Sequence, residues 1–214
     1  MFECGCKYKT ILLIYQSYFN LNLRIRASQF VRRKLACRHK ISMIVLLGYM
    51  GSGKSLIGKK LAEILQLPYE DLDSLIEDEA QMNISEIFAQ KGEIQFRILE
   101  SKVLLQAIEK GHNAVLALGG GTPCYAGNMD KLLAAPKVTS IYLKTHLDTL
   151  VDRLWPEREG RPMISHLDTQ EDLKDFIRKH LFDRSPYYMQ AQYKVDTSEN
   201  TPDEVVKEIV ARLF

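Results

Sequence analysis

MIVLLGYMGSGKS, residues 43–55, decides the fold. Five apolar residues, Met43 to Leu47, read as a short strand covered on both faces, as strands of parallel sheets are. Three glycines in six positions then break it, at Gly48, Gly51 and Gly53, and Lys54 and Ser55 follow. This is the G-x4-GK[ST] phosphate-binding loop, which requires a strand before it and a helix after it. The helix is present in the pattern: Leu56, Ile57, Leu61, Ile64 and Leu65 recur at helical spacing over 54–66, and Pro68 ends the element. The glycines let backbone N–H groups turn inward around a phosphate, and the helix N-terminus adds partial positive charge. The stretch Gly51, Ser52, Gly53, Lys54, Ser55 and Leu56 is therefore expected to hold ATP. Lys54 is expected to reach the β- and γ-phosphates and Ser55 to ligate Mg²⁺.

Outward from this loop, strand and helix patterns alternate. YEDLD (69–73) reads as a second strand and 74–81 as a helix, with an Asn83–Glu86 capping box opening another. Residues 93–109 form a long amphipathic helix stopped at Gly111. AVLAL (114–118) and VTSIYLK (138–144) are strands. Thr145 and Asp148 look like a cap and its partner for the helix after the second of these. The polar, proline-broken stretch 156–168 is a loop. A helix over 170–191 is expected to be interrupted at Pro186. YKVDT (193–197) is the last strand, and Thr201-Pro202-Asp203-Glu204 opens the last helix. The alternation predicts an α/β fold, a parallel sheet with helices on both faces and ligands at the strands' carboxyl ends.

Bulk composition agrees with an ordinary globular domain, with 46% hydrophobic and 26% charged residues. The net charge of +2 hides an asymmetry. Residues 1–42 hold nine Lys/Arg and one acid, leaving 20 basic and 26 acidic residues in 43–214. The acidic body argues against nucleic acid as a partner. Residues 1–42 are too polar and too short in their apolar run to span a membrane. They read as a basic N-terminal extension, either disordered or an over-called start with translation beginning at Met43, and the protein as cytoplasmic. The alternative is a genuine organelle transit peptide, since the segment is arginine-rich and acid-poor. Cys4, Cys6, Cys37 and Cys124 show no metal-ligand spacing.

Further chemistry sits at strand ends. Asp71 and Asp73, two apart in extended chain, would face the same way, one helping to hold Mg²⁺ and the other accepting a proton. A solvated acidic strand end is the bland alternative. Arg97 has Glu93 and Glu100 on its helix face, either as a surface ion-pair ladder or as an arginine aimed at an anionic substrate. Gly119-Gly120-Gly121 leaves bare backbone where something approaches closely. Arg161, in the 156–168 loop, suits a lid, and Arg184 a second anion clamp.

GYMGSGKS, the Asp71/Asp73 pair, GEIQFRILE, the triple glycine, RPMI and DRSPYY, in this order and spacing, resemble the shikimate kinase family across 43–214. The resemblance implies a three-layer P-loop kinase fold with a lid and a five-stranded parallel sheet in order 2-3-1-4-5. It implies transfer of the ATP γ-phosphoryl group to the 3-hydroxyl of shikimate, with Mg²⁺, by a monomer. Asp73 would be base or hydroxyl-orienting group, and Asp71 would hold Mg²⁺ through water beside Ser55. Arg97 and Arg184 would clamp the shikimate carboxylate, with Gly119, Gly120 and Gly121 supplying backbone near the ring. Arg161 would stabilise the transferring phosphate, and Arg153 and Pro202 would sandwich the adenine. The stretch 153–161 is one residue longer than the family spacing, which makes Arg158 a competitor of Arg153. The rival readings are a gluconate or nucleotide kinase of the same fold, and an ATP-binding switch that transfers nothing.

Overall fold

The central strand is β1 (Met43–Leu47), every residue of which is buried. In the computed structural model, which describes residues 43–214, it pairs in parallel with β3 (Ala114–Ala117) on one side and β4 (Val138–Lys144) on the other. The remaining strands, β2 (Tyr69–Asp71) and β5 (Tyr193–Asp196), complete the order β2-β3-β1-β4-β5, all parallel. This is the order that the resemblance implied. The basic extension expected over residues 1–42 lies outside the described residues.

Alternation along β1 divides the core in two. Ile44 and Leu46 face α1 (Lys54–Leu65) and α7 (Pro202–Leu213), packing with Ile57, Leu61, Val206 and Ile209. Met43, Val45 and Leu47 face the other layer. That layer is built from α2 (Leu72–Ala80), α3 (Ile84–Lys110), α4 (Asn128–Ala134), α5 (Leu147–Leu154) and α6 (Gln170–Tyr188). Successive strand residues point to opposite faces, so one five-residue apolar run serves both layers.

Several element boundaries follow from local chemistry. The Asn83 and Thr201 capping boxes are both formed. Gly92 takes φ 77°, ψ 170° inside α3, so a short first helix bends into the long one beginning at Glu93. Three expectations are corrected. The second strand stops at Asp71, and Leu72 already begins α2, because Asp71 caps that helix by accepting from Asp73 N–H at 3.1 Å. Thr145 does not cap α5, whose N-cap is His146; Thr145 is buried and its hydroxyl meets that of Thr197 at 2.6 Å, tying the ends of β4 and β5 together. Helix α6 runs through Pro186 without interruption. The carbonyl deprived of its donor is that of Phe182, a residue 82% exposed, so the lost bond falls at the surface, where it costs least.

Among the described residues no helix is long and apolar enough to cross a membrane.

Candidate active site

The phosphate loop spans the carboxyl end of β1 and the start of α1. Gly48 has φ +151°, and a methyl group there would lie 2.8 Å from the Leu143 carbonyl oxygen, so only glycine fits against the neighbouring strand. Gly53 is the N-cap of α1 at φ 91°, and α1 has neither a side-chain cap nor an acid in its first turn. Its leading N–H groups are thus left for an anion. The buried Ser52 Oγ also has no partner. Lys54 Nζ donates to the carbonyls of Gly48 (2.9 Å) and Tyr49 (3.0 Å). Burial pulls the Lys54 ammonium down to about 8, against the opposing pull of Asp73 and Asp71.

A cavity of about 850 Å³ opens over this loop. Gly51 through Leu56, Asp71, Asp73, Gly119 and Gly120 line it on the side of β1 to β3. Arg153, Arg161, Pro202 and Asn200 line it on the other.

The two acids have separate environments. Asp71 is engaged locally: its Oδ1 accepts from Asp73 N–H, and its Oδ2 accepts from the Tyr69 hydroxyl at 3.0 Å. Asp73 sits in the first turn of α2. Burial pushes its carboxyl up to about 6, helped by the neighbouring Asp71 and Glu100 carboxylates and opposed by Lys54. A carboxyl poised near neutral pH at a cavity wall suits proton transfer.

Beyond Gly119 the triple glycine runs between Asp73 and two guanidiniums. A methyl group on Gly119 would come within 3.0 Å of Asp73 Oδ1 and 3.5 Å of Glu100 Oε1. One on Gly120 would meet Arg184 Nη1 at 3.8 Å, and one on Gly121 would meet both terminal nitrogens of Arg97 at 3.2 Å. Arg97 bonds Glu100 at 2.9 Å and Glu93 at 3.4 Å. Glu100 is buried and also accepts from Thr122 Oγ1 at 2.6 Å. The Arg184 guanidinium lies 5.6 Å from the Tyr49 ring centroid. Both arginines act on Cys124, opposing the burial that pushes its thiol up to about 11. Arg97, Arg184 and Gly121 thus lie beyond the lining of the large cavity, and the glycines connect them to it.

Gly121 has φ −91°, so its backbone tolerates a side chain. Gly121→Ala is expected to raise the KM for the anionic substrate about 5- to 100-fold, by displacing Arg97. The KM for ATP and the melting temperature are expected to stay near wild type. Steady-state kinetics and thermal melts check this.

At the far end Arg153 donates to the carbonyls of Gly51 (3.2 Å) and Thr197 (2.6 Å), bridging the phosphate loop to β5. Arg158 instead stacks on Trp155 at 4.2 Å and does not line the cavity. Arg161 lines it and pairs with Glu157 at 2.6 Å. The segment carrying Arg161 is anchored by Ile164, which is fully buried in the larger core.

The family model for shikimate kinase matches residues 50–214. A shikimate kinase of Flavobacterium johnsoniae is 50% identical over 167 residues, 78% of this chain and 96% of that protein. The chain belongs to the shikimate kinase family. Among solved structures, a shikimate kinase of Bacteroides thetaiotaomicron matches with a TM-score of 0.73 at 34% identity, over 80% of this chain and 98% of that one. A shikimate kinase of Acinetobacter baumannii, in complex with shikimate, matches with a TM-score of 0.70 at 29% identity, over 80% and 92%.

Within this shikimate kinase the residues picked out by sequence fall into one connected region, with Arg158 set apart. Sequence reasoning passed over Tyr49, Thr122 and Tyr125. Tyr49 sits inside the quoted loop, where an aromatic between glycines was a usable signal. Thr122 and Tyr125 reach the site by contacts across more than twenty residues of sequence, and no local pattern marks them.

Proposed function

We propose that Asp73, at the seam between the nucleotide cavity and the two guanidiniums, orients and deprotonates the hydroxyl in the phosphorylation this shikimate kinase performs. In that reaction the γ-phosphoryl group of ATP passes to the 3-hydroxyl of shikimate, on the way to chorismate and the aromatic amino acids. The bond from the β,γ-bridging oxygen to the γ-phosphorus breaks, the bond from the 3-oxygen forms, and the hydroxyl proton goes to Asp73. The observation that carries the reading is the place of Asp73: it lines the cavity together with Lys54, and its Oδ1 lies against Gly119, from which bare glycine backbone leads to Arg184 at Gly120 and Arg97 at Gly121.

The residues divide by charge as the substrates do. Shikimate has one carboxylate, for which Arg97 and Arg184 supply paired N–H donors, and hydroxyls, for which Asp73 is an acceptor. Gly119, Gly120 and Gly121 let the ring lie against backbone. ATP lies along the loop, its phosphates on the free N–H groups of α1 with Lys54 turning to them from the Gly48 and Tyr49 carbonyls. Adenine sits between Arg153 and Pro202, the only two of the three adenine candidates that line the cavity. Arg161 reaches over the γ-phosphate on lid closure, leaving Glu157.

Mg²⁺ fits the donor set. Ser55 and Asp71 lie in the cavity lining together, and the Tyr69 hydroxyl contacts both. They are hard oxygen donors, and the clustered carboxylates that raise Asp73 mark a place where a cation is favoured. Ser55 would hold the ion directly and Asp71 through water, and bound Mg²⁺ neutralises charge on the β- and γ-phosphates. We take the enzyme to act as a monomer. Small-molecule substrates suffice as partners, without nucleic acid or membrane. The domain is taken as residues 43–214 and its place as the cytoplasm.

The test is ATP consumption with shikimate, gluconate, CMP and AMP as separate acceptors. Stimulation by shikimate alone is expected; stimulation by any other acceptor and not by shikimate would overturn the assignment.

A further inference from the structure

The Arg97 guanidinium is held by more than its two carboxylates. Its central carbon lies 4.0 Å from the centroid of the Tyr125 ring, a close stack of cation on aromatic face. On another side is Gly121, where even a methyl group would come within 3.2 Å of the terminal nitrogens. Glu100 and Glu93 hold Nη1 and Nη2, and the buried Nε has no partner. Edges and face are thus held, and of the two rings against the guanidinium Tyr125 is the nearer, Phe96 lying 5.2 Å away.

The loop that delivers Tyr125 is stapled to α3 beside Arg97. Thr122 Oγ1 donates to Glu100 at 2.6 Å. Asn128, wholly buried, donates to the Thr122 carbonyl at 2.9 Å and accepts from Ser101 Oγ at 2.7 Å. Lys131 Nζ bonds both Ser101 Oγ (2.7 Å) and the Ala126 carbonyl (2.8 Å). Ala126 itself takes φ +53° and is followed by Gly127 at φ +66°. A non-glycine residue in the left-handed region is an unfavourable conformation that its surroundings must enforce. The result of that enforced turn is a Tyr125 ring that is 39% exposed yet seated on the arginine.

We infer that Tyr125 is a positioning residue for the phosphoryl acceptor: its ring stacks on Arg97 and fixes the plane in which that guanidinium meets the acceptor's carboxylate. The inference rests on the reading of Arg97 as a carboxylate clamp. A guanidinium grips a carboxylate through two parallel N–H bonds, so the orientation of its plane decides whether both form. Stacking holds that plane without occupying an N–H donor, and the Nη protons that Glu100 and Glu93 do not take are left for the carboxylate. The ring acts through its face, not through its hydroxyl.

The experiment is a kinetic comparison of wild type, Tyr125→Ala, Tyr125→Phe, Arg97→Ala and the double variant Tyr125→Ala/Arg97→Ala, with the shikimate and ATP KM, kcat and melting temperature of each. Tyr125→Ala is expected to raise the shikimate KM about 3- to 30-fold, with kcat and the ATP KM close to wild type. Tyr125→Phe keeps the ring and is expected to rescue the shikimate KM. In the Arg97→Ala background, Tyr125→Ala is expected to add nothing, because the stacking partner is gone. A Tyr125→Ala enzyme with unchanged shikimate KM overturns the inference, as does a Tyr125→Phe enzyme as impaired as Tyr125→Ala, or full additivity in the double variant. If Arg97→Ala leaves the shikimate KM unchanged, the clamp reading itself falls; if Arg97→Ala is impaired and Tyr125→Ala is not, only the stacking role falls.

Discussion

Asp73→Asn lowers kcat by about 10²–10⁴-fold, the range that loss of a positioned general base produces, while ATP affinity stays near wild type. The amide keeps the shape and the hydrogen-bonding reach but cannot take the hydroxyl proton. Wild-type activity carries the signature of the same group. Because burial and two neighbouring carboxylates hold Asp73 at about 6, kcat/KM should fall as pH drops through that value. The stability consequence has the opposite sense. A carboxyl whose folded pKa stands above its ordinary 3.8 binds its proton more tightly in the folded chain. That stabilisation is whole below the ordinary value and lost as pH rises through about 6. Asp73→Asn is therefore expected to melt higher than wild type at pH 8, with the gain shrinking towards pH 4. A near-normal turnover in single-turnover and steady-state assays would remove Asp73 from the role of base. A melting temperature below wild type at pH 8 would show that the carboxylate is not strained by its surroundings.

Arg97→Ala weakens shikimate binding by about 10²–10³-fold, as loss of one partner of a desolvated charged pair does. It also unfolds the protein more easily. Glu100 is 2% exposed and would keep only the Thr122 hydroxyl as its partner. A buried carboxylate stripped of its cation costs about 3–5 kcal/mol. The exposed Glu93, at 57%, loses little by comparison. Titration calorimetry with shikimate measures the first effect and denaturant unfolding the second. Unchanged affinity would contradict the clamp. Restoring stability with Arg97→Ala/Glu100→Gln, without restoring affinity, would separate the two effects.

How much of this was readable before folding depends on the range of the contacts. Strand β1, the phosphate loop and α1 were legible because each depends on neighbours in sequence: an apolar run, glycines at fixed intervals and a helical repeat. The capping boxes at Asn83 and Thr201 were legible for the same reason, since each closes within four residues. The bend at Gly92 fell between two helices already separated by their pattern. The Asp71/Asp73 pair does line the cavity together, as expected, but not as one extended strand. Extended spacing puts both carboxylates on one side, but a carboxylate at a strand end also caps a helix, and capping won. Pro186 was misjudged because the penalty for proline depends on whether water can replace the missing donor, and only the fold exposes Phe182.

The sequence by itself determined that a parallel α/β sheet carries a nucleotide loop at the carboxyl end of its first strand, because those signals are local and periodic. It also singled out the acids, arginines and glycines that the fold gathers around that loop. Only the tertiary structure decided how they meet: that Glu100 pairs with Arg97 and lies close to Gly119 beside Asp73, that Arg153 rather than Arg158 borders the cavity over the phosphate loop, and that Tyr125 lies on Arg97. The physical reason is that these are encounters between side chains on different elements. Their distances are set by how helices pack on the two faces of the sheet, and no spacing along the chain encodes them.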